Sequence, residues 1–154
     1  MALARQQYEP FAASNGASAL IASPDGSLFI YDSNVDTFTV SRKDATSFGG
    51  AYAASSFGDY VIGNQLLNSS GVPVRLIQPT NGIASGFTFV DQNGYFVTAS
   101  DATSAGVISR VDTPTGFGLR PTRFVEAPIL PTDLEPFTRT VAPLYSRGSI
   151  IALT

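Results

Sequence analysis

Asp32, Asn34 and Asp36 place oxygen ligands at alternate positions, the opening of a calcium-binding loop. Calcium takes about six to eight oxygens, and the EF-hand form of such a loop needs glycine at its sixth position and a bidentate glutamate at its twelfth. Thr37 and Lys43 stand there instead. The competing reading is a hairpin turn in which Asp and Asn side chains cap their own backbone. A second acidic set, Asp25, Asp59 and Asp91, recurs beside turn-forming glycines and is expected either to line one rim as ligands for a cation or sugar or to satisfy turn amides. Glycoside hydrolysis needs two carboxylates at a defined separation across the substrate. Scattered acids at turns nominate no such pair.

The chain has no histidine and no cysteine. That removes the usual general base, the usual zinc ligands and the common activated nucleophiles. A serine–lysine dyad would rest on Lys43, the single lysine among nine basic residues. Gly116-Phe117-Gly118-Leu119-Arg120 lacks the Gly-Lys-Ser/Thr end and the strand-to-helix setting of a phosphate loop. Asn68-Ser69-Ser70 is an N-glycosylation sequon, and equally a polar turn. Phe29, Tyr31, Tyr60, Phe87, Phe89, Tyr95 and Phe96 fall on expected strands and read as core, whereas Phe117 and Tyr145 fall at turns, where a ring can stack on a sugar. The site expectation is therefore modest. No catalytic residue, cofactor or metal is nominated beyond the calcium candidate Asp32, Asn34 and Asp36, and the binding candidates are Phe117 and Tyr145.

Composition sets the frame for these residues. A chain of 154 residues with 44% hydrophobic and 14% charged side chains is a globular domain. It is long enough to bury roughly two thirds of its unfolded surface. A net charge of -3 with scattered arginines argues against nucleic acid, which needs a basic face. Apolar runs are too short for a membrane-spanning helix, and no signal-peptide core follows Met1.

The elements that must carry the turns are strands. Ser23-Pro24-Asp25-Gly26-Ser27-Leu28-Phe29-Ile30-Tyr31-Asp32 reads as strand exit, tight turn and strand entry: proline sets φ, glycine accepts a positive φ, and Leu28 to Tyr31 suit a pleated surface. Similar units centre on Gly58, Gly94 and Gly148. Leu3 to Phe11 is expected to be an N-terminal strand or arm. The alanine-rich runs Ala19–Ala22 and Ala51–Ala54 suit crowded first strands. Residues 113–137 hold five prolines and read as an insertion, with 122–127 as an edge strand inside it. No segment has sustained helical periodicity.

The expected fold is all-β, with repeated antiparallel units of three to four strands. This is a partial β-propeller of blades at 17–48, 49–83, 84–127 and an incomplete 137–154, with a β-sandwich or irregular barrel as the alternative. The segment Ser23–Ile30 resembles the inter-strand turn of WD40-type and YVTN-type bacterial propeller repeats, without the His and Trp-Asp signatures of WD40 blades. The runs Arg110–Asp112, Pro121–Arg123, Glu126–Pro128 and Ala142–Arg147 look like long, uncharacterised secreted bacterial proteins in which a propeller-like region precedes immunoglobulin-like modules. That resemblance implies an extracellular or periplasmic setting and brings no catalytic residues. The expected function is a non-catalytic structural or binding module. Its loops would face a protein or polysaccharide, and it would be completed by copies of itself or by further blades of a longer chain. The alternative is a fragment of a secreted hydrolase or lyase using carboxylates.

Overall fold

The computed structural model describes residues 9–13, 15–23, 25–43, 51–77, 83–99, 107–112, 123–126, 140–144 and 149–153. Fourteen strands and no helix run through them. No helix among the described residues is long and apolar enough to cross a membrane.

The strands form three four-stranded antiparallel meanders and a hairpin, each sheet taking its strands in chain order. The first sheet holds β1 (Glu9–Ala12), β2 (Ser18–Ala22), β3 (Ser27–Asp32) and β4 (Thr37–Lys43). The second holds β5 (Tyr52–Ala54), β6 (Tyr60–Ile62), β7 (Gln65–Leu67) and β8 (Pro73–Leu76). The third holds β9 (Ile83–Val90), β10 (Asn93–Ala99), β11 (Val107–Asp112) and β12 (Arg123–Glu126). The hairpin pairs β13 (Thr140–Leu144) with β14 (Ser149–Leu153). The opening strands of successive sheets lie against one another: β5 touches both β1 and β9, and β9 touches β13.

Alternation explains the stacking. Successive side chains on a strand point to opposite faces. In the second sheet, Ala54, Tyr60, Ile62 and Leu67 point one way and join Leu20, Ala22, Leu28 and Ile30 of the first sheet. Ala53, Val61 and Leu66 point the other way and join Phe87, Phe89, Phe96 and Val111 of the third. Strands β5 to β7 of the second sheet are thus buried on both faces, which is why β6 reads as an unbroken apolar run rather than an alternating one, while β8 is largely exposed. Phe11 and Tyr52 stack at 5.1 Å where the first two sheets meet at their opening strands.

One turn recurs. In Ser23–Ser27, Ser55–Asp59 and Asn68–Val72 the first residue's N–H donates to the fifth residue's carbonyl, at 2.8–3.0 Å. In Ser23–Ser27 and Asn68–Val72 the fourth-position glycine also donates back to the first residue, at 3.0 and 2.8 Å. Gly26, Gly58 and Gly71 have φ of +88°, +82° and +70°. This is a tight turn closed by a left-handed glycine, the hairpin form that matches strand twist. A version one residue longer spans Ala13–Ser18 with Gly16 at φ +72°. The side chains cap these turns in two ways. Asp25 Oδ1 and Asn15 Oδ1 accept from the backbone two residues on. Ser55 Oγ and Asn68 Oδ1, from the first position, each accept from two backbone amides.

Three expectations are corrected. The first sheet begins at β1, Glu9–Ala12, at the end of the Leu3–Phe11 segment expected to be a strand or arm, and Ala19–Ala22 belongs to the second strand, not the first. Gly26 therefore lies between second and third strands, whereas Gly58 lies between first and second, and the positional counterpart of Gly58 is Gly16. Gly94 is no turn glycine at all; it sits inside β10, after a turn made by Asp91 and Gln92. Gly148 lies outside the described residues.

Gly71 also fixes one sheet on another. A Cβ there would lie 3.1 Å from Val40 Cγ1 and 3.2 Å from Leu28 Cδ2, and its carbonyl accepts from Arg42 Nη1 at 2.7 Å. The β7–β8 turn thus presses its backbone onto the first sheet. Gly71→Ala combines left-handed strain with crowding, and should cost about 2 kcal/mol in urea unfolding. Gly16→Ala, with nothing within 4 Å of the added carbon, bears the strain alone and should cost about 1 kcal/mol.

Candidate functional site

The turns gather on one rim. The β1–β2 and β3–β4 turns leave the same end of the first sheet, tied together because Ser33 N and Oγ both donate to Ala17 O, at 2.9 and 3.0 Å. Asn15 Nδ2 reaches Ser56 O at 3.3 Å, which brings the β5–β6 turn of the second sheet alongside. Asn15, Asp32, Asn34, Asp36, Ser56 and Asp59 therefore share this rim. Asp25 does not. Its turn joins β2 to β3 at the opposite end of the strands, so Asp25 and Asp59 cannot line one rim together.

Two of the rim carboxylates, Asp32 and Asp36, are committed to its own structure. Asp32 Oδ1 accepts from Asn34 N at 2.9 Å and from Asn34 Nδ2 at 3.1 Å, an Asx turn. Asp36 holds φ +50° and accepts a hydrogen bond from the Tyr31 hydroxyl. That bond favours the protonated phenol and pushes Tyr31 above its usual range, with the Asp36 charge and some burial adding to it. The Asp32, Asn34 and Asp36 trio thus forms the β3–β4 turn. No group of three or more His, Cys, Asp or Glu able to hold a metal occurs among the described residues.

The other ionisable groups do no better as chemistry. Lys43 Nζ sits 2.9 Å from Asp25 Oδ2, and this pair, with the Ser27 amide, holds the Asp25 carboxyl well below the usual carboxylate range. A serine–lysine dyad on Lys43 has no support in that geometry. Burial pushes Asp59 up, with Arg75 partly offsetting it. Burial likewise raises Tyr60, against a hydrogen bond with Ser18. Ser109 is fully buried across from Phe96, and its hydroxyl has no hydrogen-bond partner among the described residues. It lies inside an apolar layer, paired with Phe96 on one side and Phe124 on the other.

The rim exposes two large apolar side chains among its polar ones. Phe57 at the tip of the β5–β6 turn is 58% exposed, and Val35 in the β3–β4 turn is 60% exposed. Both are held out on hydrogen-bonded turns, Val35 next to Asn34 and Phe57 next to Ser56, whose carbonyl accepts from Asn15 Nδ2. Sequence reasoning passed over Phe57. Its signal was an aromatic in a Ser-Ser-Phe-Gly turn, at the position where Asp25 and Asn15 cap the equivalent turns. The aromatic candidates it did nominate, Phe117 and Tyr145, lie outside the described residues.

No protein-family model matches this chain, and no curated protein sequence matches it.

Proposed function

We propose that this chain is a non-catalytic binding module, built as an arc of a β-propeller with each four-stranded sheet a blade, that presents its turn rim to a protein or polysaccharide outside the cell. The strand order supports the blade reading, since propellers repeat four-stranded meanders around an axis. So does the succession of opening strands β1, β5, β9 and β13, each against the next. The Ser23–Ile30 resemblance also fits the blade reading, and the resemblance of Arg110–Asp112, Pro121–Arg123, Glu126–Pro128 and Ala142–Arg147 to secreted proteins supports the extracellular setting. The observation that carries the binding reading is Phe57, an aromatic held in solvent on a rigid turn whose neighbours are amides and hydroxyls. A flat ring flanked by hydrogen-bonding groups suits a sugar face or an apolar side chain of a partner.

Glycan-array and protein-array binding tests this with the wild type and Phe57→Ala. Binding without turnover is expected, with Phe57→Ala weakening it at least about tenfold, the usual range for an aromatic anchor, at unchanged melting temperature. Bond cleavage that disappears on replacing Asp59 would contradict it and favour carboxylate chemistry.

A further inference from the structure

Two outward faces of the described strands carry exposed apolar side chains. Cross-strand register places Ala19, Tyr31 and Phe38 in one row of the first sheet, and Ile21, Phe29 and Ser41 in the next. All of these lie on the face turned away from the second sheet, because Leu20, Ala22, Leu28 and Ile30 occupy the other. Phe38 is 54% exposed, and Ile21, Phe29 and Tyr31 each keep part of their surface in solvent. The rings are already ordered against one another, Phe29 on Phe38 at 6.0 Å and Tyr31 on Phe38 at 5.7 Å, both edge-to-face. A preassembled aromatic patch loses little side-chain freedom on being covered.

On the other side of the stack, the hairpin β13–β14 packs by β13 on β9 of the third sheet. On β14 Ile150 is half-buried, while Ser149 and Ile151 point the other way, Ile151 being 45% exposed. The hairpin therefore meets the third sheet through β13, and β14 leaves Ile151 exposed.

We propose that the outer face of the first sheet receives the β14 face of a second copy, so that copies associate head to tail. The occupant follows from continuity with the interfaces the chain builds for itself. Twice within it, a sheet face of alternating aliphatic and aromatic residues is covered by the next meander in order. The outer face of the first sheet is the same kind of surface on one side of the stack, and Ile151 is exposed on the other side, on the hairpin that packs by β13 against the third sheet. Joining unlike surfaces makes a heterologous contact, which closes into a ring or extends as a filament according to the rotation per copy. This deepens the propeller-arc reading and rests on its stacking order, though not on the Phe57 rim.

Multi-angle light scattering over a concentration series is the test, using the whole chain. The wild type should gain mass with concentration. Phe38→Asp, which spoils only the receiving face, and Ile151→Asp, which spoils only the offered face, should each stay monomeric with unchanged circular dichroism and melting temperature. An equimolar mixture of the two variants should form dimers and nothing larger, since one intact face remains on each partner. A wild type that stays monomeric throughout overturns the proposal. So does a mixture that remains monomeric, or an Ile151→Asp variant that still associates alone, which would mean like faces meet. Phe57→Ala should associate as the wild type does, so a failed array experiment leaves this result readable on its own.

Discussion

Phe96→Ala is expected to cost about 4 kcal/mol of folding free energy, the upper part of the range for deleting a buried ring. Phe96 is fully buried in β10, a strand paired on both sides, and stacks on Phe87 with centroids 6.3 Å apart and planes 7° from parallel. It belongs to the cluster that joins the third sheet to Ala53, Val61 and Leu66 of the second. Truncation removes the transfer energy of the ring and leaves a hole that paired strands cannot close. Against a total stability of about 5–15 kcal/mol for a domain, that is a large share. Urea unfolding should show a lower midpoint with an unchanged slope. A shift below about 1 kcal/mol would mean the sheets are not packed through this ring.

Gly94→Ala is the second large effect, and it acts through space rather than backbone freedom. A Cβ on Gly94 would lie 2.4 Å from Phe87 Cζ and 2.8 Å from Val111 Cγ2, closer than carbon atoms approach. Phe87 and Phe89, themselves edge-to-face at 4.9 Å, cover the glycine across the β9–β10 pair. Overpacking of this kind costs about 3 kcal/mol when the neighbours are held. Phe87→Leu should recover part of that loss in the double variant, because the clash is with the ring tip. Strict additivity of the two substitutions would count against a shared space.

Much of this architecture was legible in the chain. Period-two alternation and turn residues located strands such as β4, read as Thr37–Ser41, and β11, read as Val107–Val111; Val40 of the first packs on the core and Ser109 and Val111 of the second are buried in it. Register between sheets was harder. Gly26, Gly58 and Gly94 look alike in sequence, yet one follows a second strand, one follows a first, and one lies within a strand. Local turn chemistry dictates the turn and says nothing of which hairpin it closes. β7 went unassigned for a related reason: Gln65-Leu66-Leu67 is only three residues long and follows β6 after Gly63 and Asn64 alone, too short to show alternation of its own. The rim was partly legible. The Asx turn at Asp32 and Asn34 follows from residue type alone. The separation of Asp25 from Asp59 does not, since it depends on the parity of strands between them.

Chain parity and two-sided burial are together what make the second sheet the middle of the stack, and amide hydrogen exchange measures that directly. Strands β6 and β7 are paired on both sides and covered on both faces, whereas β2 and β3 are paired on both sides but covered on one. Opening β6 or β7 to solvent requires parting the second sheet from the first or the third. The amides of Val61, Ile62, Leu66 and Leu67 should therefore exchange more slowly than those of Leu20, Ile21, Phe29 and Ile30. Equal or faster exchange in β6 and β7 would contradict a stack with the second sheet at its centre.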